Sequence, residues 1–251
     1  MAQRVDAIAL SANDPDALAP ILKRAMKRGI KVISWDSGVA QDARLVHINP
    51  SSNPLIGQMC IKLAADAAGS KGGEIAILSA TPTSTNQNIW IEEMKRALPK
   101  HPTLKLVDTV YGDDLSDKSY RETVALLKKH PQLKVIVAPT SVGIVAAAQA
   151  VEDQGKTGKV FVTGLGLPSE MAGHVHAGSV KSFAIWNPID LGYAAMTVAY
   201  KLATGQAKGG ANSKVAAGRM GTIAFDKHGD GAMAEPFVYD ASNVDRFAKV
   251  F

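Results

Sequence analysis

Short apolar runs alternate with longer segments of helical period along the chain. VDAIALS (5–11), KVISWDS (31–37), LVHIN (45–49), EIAILSA (74–80), LKLVDTVYG (104–112), VIVAP (135–139), VFVTGLG (160–166) and VKSFAIWN (180–187) are short enough, and apolar enough, to be strands. Between them lie helix-period segments at 14–29, 53–69, 85–98, 117–130, 142–155, 169–178 and 188–205. Their punctuation fits: Asp14 precedes Pro15, Gly29 closes the first helix, and Asn53 precedes Pro54. GTIAFD (221–226) predicts a ninth strand and NVDRFAKV (243–250) a last helical turn or two. GKTGK (155–159), Gly209-Gly210 and GDG (229–231) read as turns. Near-continuous apolar strands separated by helices predict parallel sheets covered on both faces, as one doubly wound sheet or two smaller ones.

In open parallel sheets, ligands bind beyond the carboxyl ends of the strands. The residues that follow each strand therefore matter most. They are Ser11 to Asp14, Trp35-Asp36-Ser37, the polar run TPTSTNQN (81–88), Thr140-Ser141, Leu167 to Ser169, and Trp186-Asn187. This inventory holds amides, hydroxyls, two carboxylates (Asp14 and Asp36) and two indoles. Sugar hydroxyls both donate and accept, which Asn, Gln and Asp can match in pairs, and an indole face packs against sugar C–H groups. Asn53, Ser84 and Ser169 read as helix caps, as do Asp113 and Asp114 in their turn.

Composition narrows the classes further. The 251 residues are 46% apolar and 20% charged, enough for a sizeable core in one large domain or two small ones. A net charge of +5 is spread over helix faces, without the aromatic-laced basic stripe of a nucleic-acid binder. The one cysteine, Cys60, sits in an apolar helix pattern and reads as a buried hydrophobe. No metal cluster, P-loop, GxSxG or intact GxGxxG motif is present. With no paired acid and base and no activated nucleophile, the pattern points to binding rather than catalysis, with no cofactor. MAQRVDAIAL lacks a signal-peptide layout.

Five stretches, SANDPDALAPILKRAMKRGIKVISWDSGV, LSATPTSTNQNIWIEEMK, VIVAPTSVGIVAAAQAVED, VTGLGLPSEMAG and FAIWNPIDLGYAA, resemble the sugar-binding receptors of bacterial ABC importers. The rhamnose-binding subfamily is the nearest in pattern, and the autoinducer-2 receptors are close relatives. The resemblance implies an α/β fold of the type I periplasmic binding protein kind, with two doubly wound parallel-sheet lobes and a ligand cleft between them. It places the first lobe at 1–50 plus 187–217 and the second at 51–186 plus 218–251. Members begin with a signal peptide and a βαβα segment ahead of the strand that matches VDAIALS, so the first lobe is expected to be incomplete.

The resemblance also assigns ligand contacts. Asp36 supplies the first-lobe carboxylate, and Asn86 and Gln87 form a polar pair at a helix start, with Asn88 beside them. Pro139 and Ser141 line the cleft, and Trp186 and Asn187 sit at a crossing between lobes. Autoinducer-2 receptors carry an aspartate where this chain has Asn86, which favours a neutral sugar. The implied function is a non-enzymatic, periplasmic solute-binding component. Its partners would be a rhamnose-like monosaccharide and the membrane permease, not nucleic acid. The alternatives are an autoinducer-2 receptor and the effector-binding core of a sugar-responsive repressor.

Overall fold

A computed structural model describes residues 4–251. The chain folds as two compact units, each an α/β layer structure. The first contains residues through Asn53, Thr83–Asn88 and Trp186–Glu235; the second contains Pro54–Pro82, Ile89–Ile185 and Pro236–Phe251.

The first unit is built on a four-stranded sheet whose described members, β1 (Ala7–Leu10), β2 (Lys31–Trp35), β3 (Val46–Asn49) and β11 (Asp230–Ala232), lie in that order. All three pairings are parallel. Val32, Ile33, Val46 and Ile48 are fully buried, each such side chain contributing about 1.5–3 kcal/mol. Helix α1 (Ala19–Lys27) packs Leu22 and Ala25 inward. It stops where Gly29 takes a left-handed φ of 87°, a conformation that suits glycine. Helix α7 (Pro188–Ala203) lays Leu191, Ala194, Ala195, Val198 and Leu202 toward the core. An antiparallel pair, β9 (Lys214–Ala216) with β10 (Thr222–Ala224), completes the unit.

The second unit has a parallel sheet in the order β5-β4-β6-β7, formed by β4 (Gly73–Ser79), β5 (Leu104–Tyr111), β6 (Leu133–Ala138) and β7 (Phe161–Gly164). Strand β8 (Ser182–Ile185) pairs antiparallel with β12 (Phe237–Asp240) and touches the main sheet through the Val162–Val180 and Leu165–Ala184 bridges. The helices are α2 (Asn53–Ala68), α3 (Thr85–Ala97), whose first turn through Asn88 belongs to the first unit, α4 (Ser116–Lys129), α5 (Ser141–Asp153), α6 (Pro168–Ala177) and α8 (Val244–Phe247). Because β4 has β5 on one side and β6 on the other, the winding reverses between β4 and β6. In open parallel sheets, such a reversal is where ligands bind, outside the carboxyl ends of the strands.

Three expectations need correction. The segment 218–235, assigned to the second lobe, belongs to the first unit, because β11 pairs with β3 there. The GDG turn contributes Asp230 and Gly231 to that strand. The first helix begins at Ala19, not near Asp14. Asp14 Oδ1 instead accepts from the amides of Asp16 (2.8 Å) and Ala17 (2.9 Å), closing a local turn that delays the helix. Among the described residues, no helix is long and apolar enough to cross a membrane.

Candidate functional site

Strand β2 ends at Trp35, and Asp36 then turns to a left-handed φ of 59°, a region where short polar residues are several-fold enriched. The Asp36 amide still donates to the Ile48 carbonyl at 3.0 Å, so the half-buried carboxylate springs from a fixed backbone. The next residues lace the strand ends together. Ser37 N–H donates to Ser11 Oγ (3.2 Å) and Ala12 N–H to the Ser37 carbonyl (3.1 Å). Thr85 Oγ1 donates to the Gly38 carbonyl at 3.0 Å, tying the Asp36 loop to the start of α3. Trp35 Nε1 and Ser37 Oγ are buried without a hydrogen-bond partner.

Behind this loop lies a polar relay. His47 is buried on β3 with its ring beside Gly38. Nε2 lies 3.1 Å from Asn49 Oδ1, and Nδ1 lies 2.9 Å from Ser34 Oγ. Oδ1 can only accept, so Nε2 carries the proton and Ser34 donates to Nδ1. Burial, then the positive charge of Arg44, hold the His47 pKa down to about 4. The imidazole is therefore neutral near pH 7. Arg44 itself pairs with Asp230 at 2.6 Å. Sequence reasoning passed over this relay; its only trace was a histidine alternating with Val46 and Ile48 in an apolar strand.

The amide side chains at the start of α3 are buried: Asn86 is 8% and Gln87 6% exposed. Asn86 Oδ1 accepts from Ser84 Oγ (3.1 Å) and from the Gln87 amide (2.7 Å). These bonds fix the carboxamide and leave its NH₂ hydrogens out of the local network. Asn88 is half-buried, and its amide donates to the Ser84 carbonyl at 3.0 Å. Trp186 is buried, and Asn187 caps α7, its Oδ1 accepting from Ile189 N–H at 2.9 Å and Asp190 N–H at 3.4 Å. Asn187 Oδ1 is therefore committed to the helix end.

Pro139 and Ser141 lie in the second unit, just past β6, at the switch point of its sheet. Between them Thr140 caps α5 by accepting from Gly143 N–H at 3.3 Å, while its hydroxyl donates to the Asp114 carboxylate. Asp113 and Asp114 both take left-handed φ values, 55° and 54°. They do not cap α4, whose N-cap is Leu115 with no side-chain bond. Asp113 pairs with Lys118 instead, at 2.6 Å. Ser169 likewise lies inside α6, whose N-cap is Leu167.

Of the eight expected contacts, Asp36, Asn86, Gln87, Asn88, Trp186 and Asn187 fall in the first unit, and Pro139 and Ser141 in the second. Among the described residues no group of three or more His, Cys, Asp or Glu is placed to hold a metal. The arrangement offers hydroxyls, carboxamides and one carboxylate on fixed backbones, suited to a polyhydroxylated neutral molecule.

A family model described as a periplasmic binding protein domain matches residues 1–207. The chain belongs to this family. A solute-binding protein of an ABC transporter from Clostridium phytofermentas, solved with bound L-rhamnose, superposes with a TM-score of 0.94 and 39% sequence identity; the match covers 100% of this chain and 82% of that one. LsrB from Clostridium saccharobutylicum, in complex with AI-2, superposes with a TM-score of 0.88 over 98% of this chain and 83% of its own, at 22% identity, a likeness of fold alone. The D-allose-binding periplasmic protein of Escherichia coli is 28% identical over 67% of this chain and 56% of its own length. The chain thus spans little more than half of that curated relative. The periplasmic binding fold expected from the sequence is the fold observed.

Proposed function

We propose that this chain is the solute receptor of a sugar importer and binds a neutral deoxy-hexose, L-rhamnose or a close relative of it. The observation that carries the reading is the 39% identity, over the full length of this chain, to a solute-binding protein holding L-rhamnose. The uncharged, amide-rich set around Asp36 supports it. In this reading the Asp36 carboxylate accepts from two adjacent sugar hydroxyls, the Asn86 NH₂ donates to a third, and Gln87 and Asn88 extend the polar wall. Trp186 offers an apolar face to the sugar ring, and Asn187 donates through Nδ2. The ligand-bound form then delivers the sugar from the periplasm to a membrane permease, and no bond of the sugar is changed.

The test is thermal denaturation of the chain with L-rhamnose, D-allose, D-ribose, D-xylose and AI-2, followed by calorimetric titration. A ligand bound only by the native state raises the melting temperature by mass action. L-rhamnose is expected to give the largest rise. Asp36→Asn keeps a residue that tolerates the left-handed backbone and removes the charge. It should weaken rhamnose about 10- to 100-fold, the size of a lost hydrogen bond to a charged group. A cooperative melt unmoved by any monosaccharide would overturn the assignment. A rise with AI-2 and none with rhamnose would replace it by the autoinducer reading.

A further inference from the structure

The turn GKTGK (155–159) helps to enclose a cavity of about 170 Å³ in the second unit. Gly155 and Gly158 take left-handed φ values of 61° and 75°. The Lys156 carbonyl accepts from Lys159 N–H (2.9 Å) and Val160 N–H (3.0 Å), so a tight turn carries a lysine at each end. The floor of the cavity includes two buried apolar side chains, Leu133 at the start of β6 and Val160 just ahead of β7. Its rim is cationic: Lys134, Lys156 and Lys159 line it, and no carboxylate does. The Lys134 stem lies over Gly73, where an added Cβ would fall 2.5 Å from its Cγ. Among the described residues none of these three lysines has an ion-pair partner. The neighbouring carboxylates are engaged elsewhere. Asp108 holds Lys129 (2.8 Å) and His130 (3.0 Å), and His130 also lines the cavity. Glu152 holds His174 (2.8 Å), Asp153 accepts from Tyr120 (3.0 Å), and Glu74 lies 3.6 Å from Lys105. Helices α4 and α5 end beside the cavity, and their carboxyl ends, at about half a negative charge each, leave about two of the three positive charges unbalanced.

We infer that this cavity is an anion site and takes a small tetrahedral dianion, phosphate or the phosphoryl group of a small ester. An ammonium group is a compact point charge, without the planar fork by which arginine grips a single carboxylate. Three of them around one rim suit a ligand that spreads its charge over several oxygens pointing in different directions, as a tetrahedral dianion does. The space fits as well: about 170 Å³ is close to a cavity that holds a benzene-sized molecule, enough for a phosphoryl group and too little for a large polyanion. The apolar floor keeps water from one side of the bound ion, which strengthens its contacts with the lysines. The cavity lies at the amino ends of β6 and β7, whereas Pro139 and Ser141 follow the carboxyl end of β6. Strand β6 is six residues long, and at about 3.3 Å per residue it separates the two by about 20 Å. The anion site is therefore distinct from the proposed sugar contacts and rests on none of them.

Calorimetric titration with inorganic phosphate, at an ionic strength held near about 0.15 M with sodium chloride, tests the inference. Saturable binding is expected, with a dissociation constant of about 1 mM or below. Lys134→Gln, Lys156→Gln and Lys159→Gln should each weaken it at least about twofold, the scale of one exposed ionic contact. The triple variant should weaken it at least about tenfold, and the single variants cover the case in which the triple one does not fold. A second triple variant, Lys27→Gln, Lys71→Gln and Lys208→Gln, removes the same charge from exposed positions outside the cavity and should bind as the wild type does. Glycerol phosphate separates the two sources of the group: tighter binding than inorganic phosphate assigns the site to an ester, and equal binding to the free anion. Absence of saturable binding up to about 20 mM phosphate overturns the inference. So does a folded cavity variant that binds as the wild type does, or an equal loss in both triple variants.

Discussion

His47 is the residue whose chemistry most constrains the first unit. Its pKa of about 4 lies well below the unfolded value of 6.5 because burial, then Arg44, disfavour the charged ring. The unfolded chain therefore binds a proton more readily between those two values. The stabilisation is fully present above pH 6.5, shrinks as pH falls, and is gone below about 4. It amounts to something on the order of 3 kcal/mol. Urea titrations at pH 7.5, 6, 5 and 4.5 should show the unfolding free energy falling steadily, and His47→Gln should flatten that slope. A wild-type slope no steeper than the variant's would mean that the ring is not held neutral. Cys60 is a second buried group with one dominant influence. Complete burial pushes its thiol up to about 12, so almost no thiolate exists in the native state. Native protein should resist 4,4′-dithiodipyridine until it unfolds; rapid labelling of folded protein would contradict this burial.

Helices α2 and α3 approach so closely that the crossing depends on one side chain being absent. A Cβ added at Gly57 would sit 2.4 Å from Glu93 Cβ and 2.7 Å from the Glu93 carbonyl carbon. Helix propensity favours alanine over glycine by about 1 kcal/mol, but the crowded atoms are backbone and cannot swing aside. Overpacking costs about 1–3 kcal/mol and should win, so Gly57→Ala is expected to lower the urea midpoint. A raised midpoint would show that the helices separate without penalty. The same scale explains what could be read from the sequence. Strands such as KVISW and EIAIL, and the helices between them, carry their own period and were legible. Strand β11, the sequence Asp-Gly-Ala, has no apolar run and exists because the β3 edge recruits it; so the GDG turn, and with it the third lobe boundary, was misread. Asp36, Asn86 and Asn187 were visible as polar residues at strand ends. That the oxygens of Asn86 and Asn187 are engaged by Ser84, Gln87, Ile189 and Asp190 depends on three-dimensional placement, which no spacing encodes.

For the whole molecule, the two units should answer acid differently. The buried histidine relay belongs to the first unit, and Cys60 to the second. At pH 5, amide protection factors, taken against the intrinsic exchange rate at that pH, are expected to fall in β1, β2 and β3 while Cys60 remains shielded from 4,4′-dithiodipyridine. Simultaneous loss of both protections would mean that the units open as one. The threading of the chain has a consequence for its synthesis. The last strand of the first unit, Asp230–Ala232, and the last strand of the second, Phe237–Asp240, are neighbours near the carboxyl terminus. On a ribosome, β3 emerges early and β8 late, but both precede these partners and wait for them. A chain whose translation stops short of Asp230 leaves both units without a closing strand. A late truncation therefore leaves two unfinished sheets rather than one finished unit with a tail.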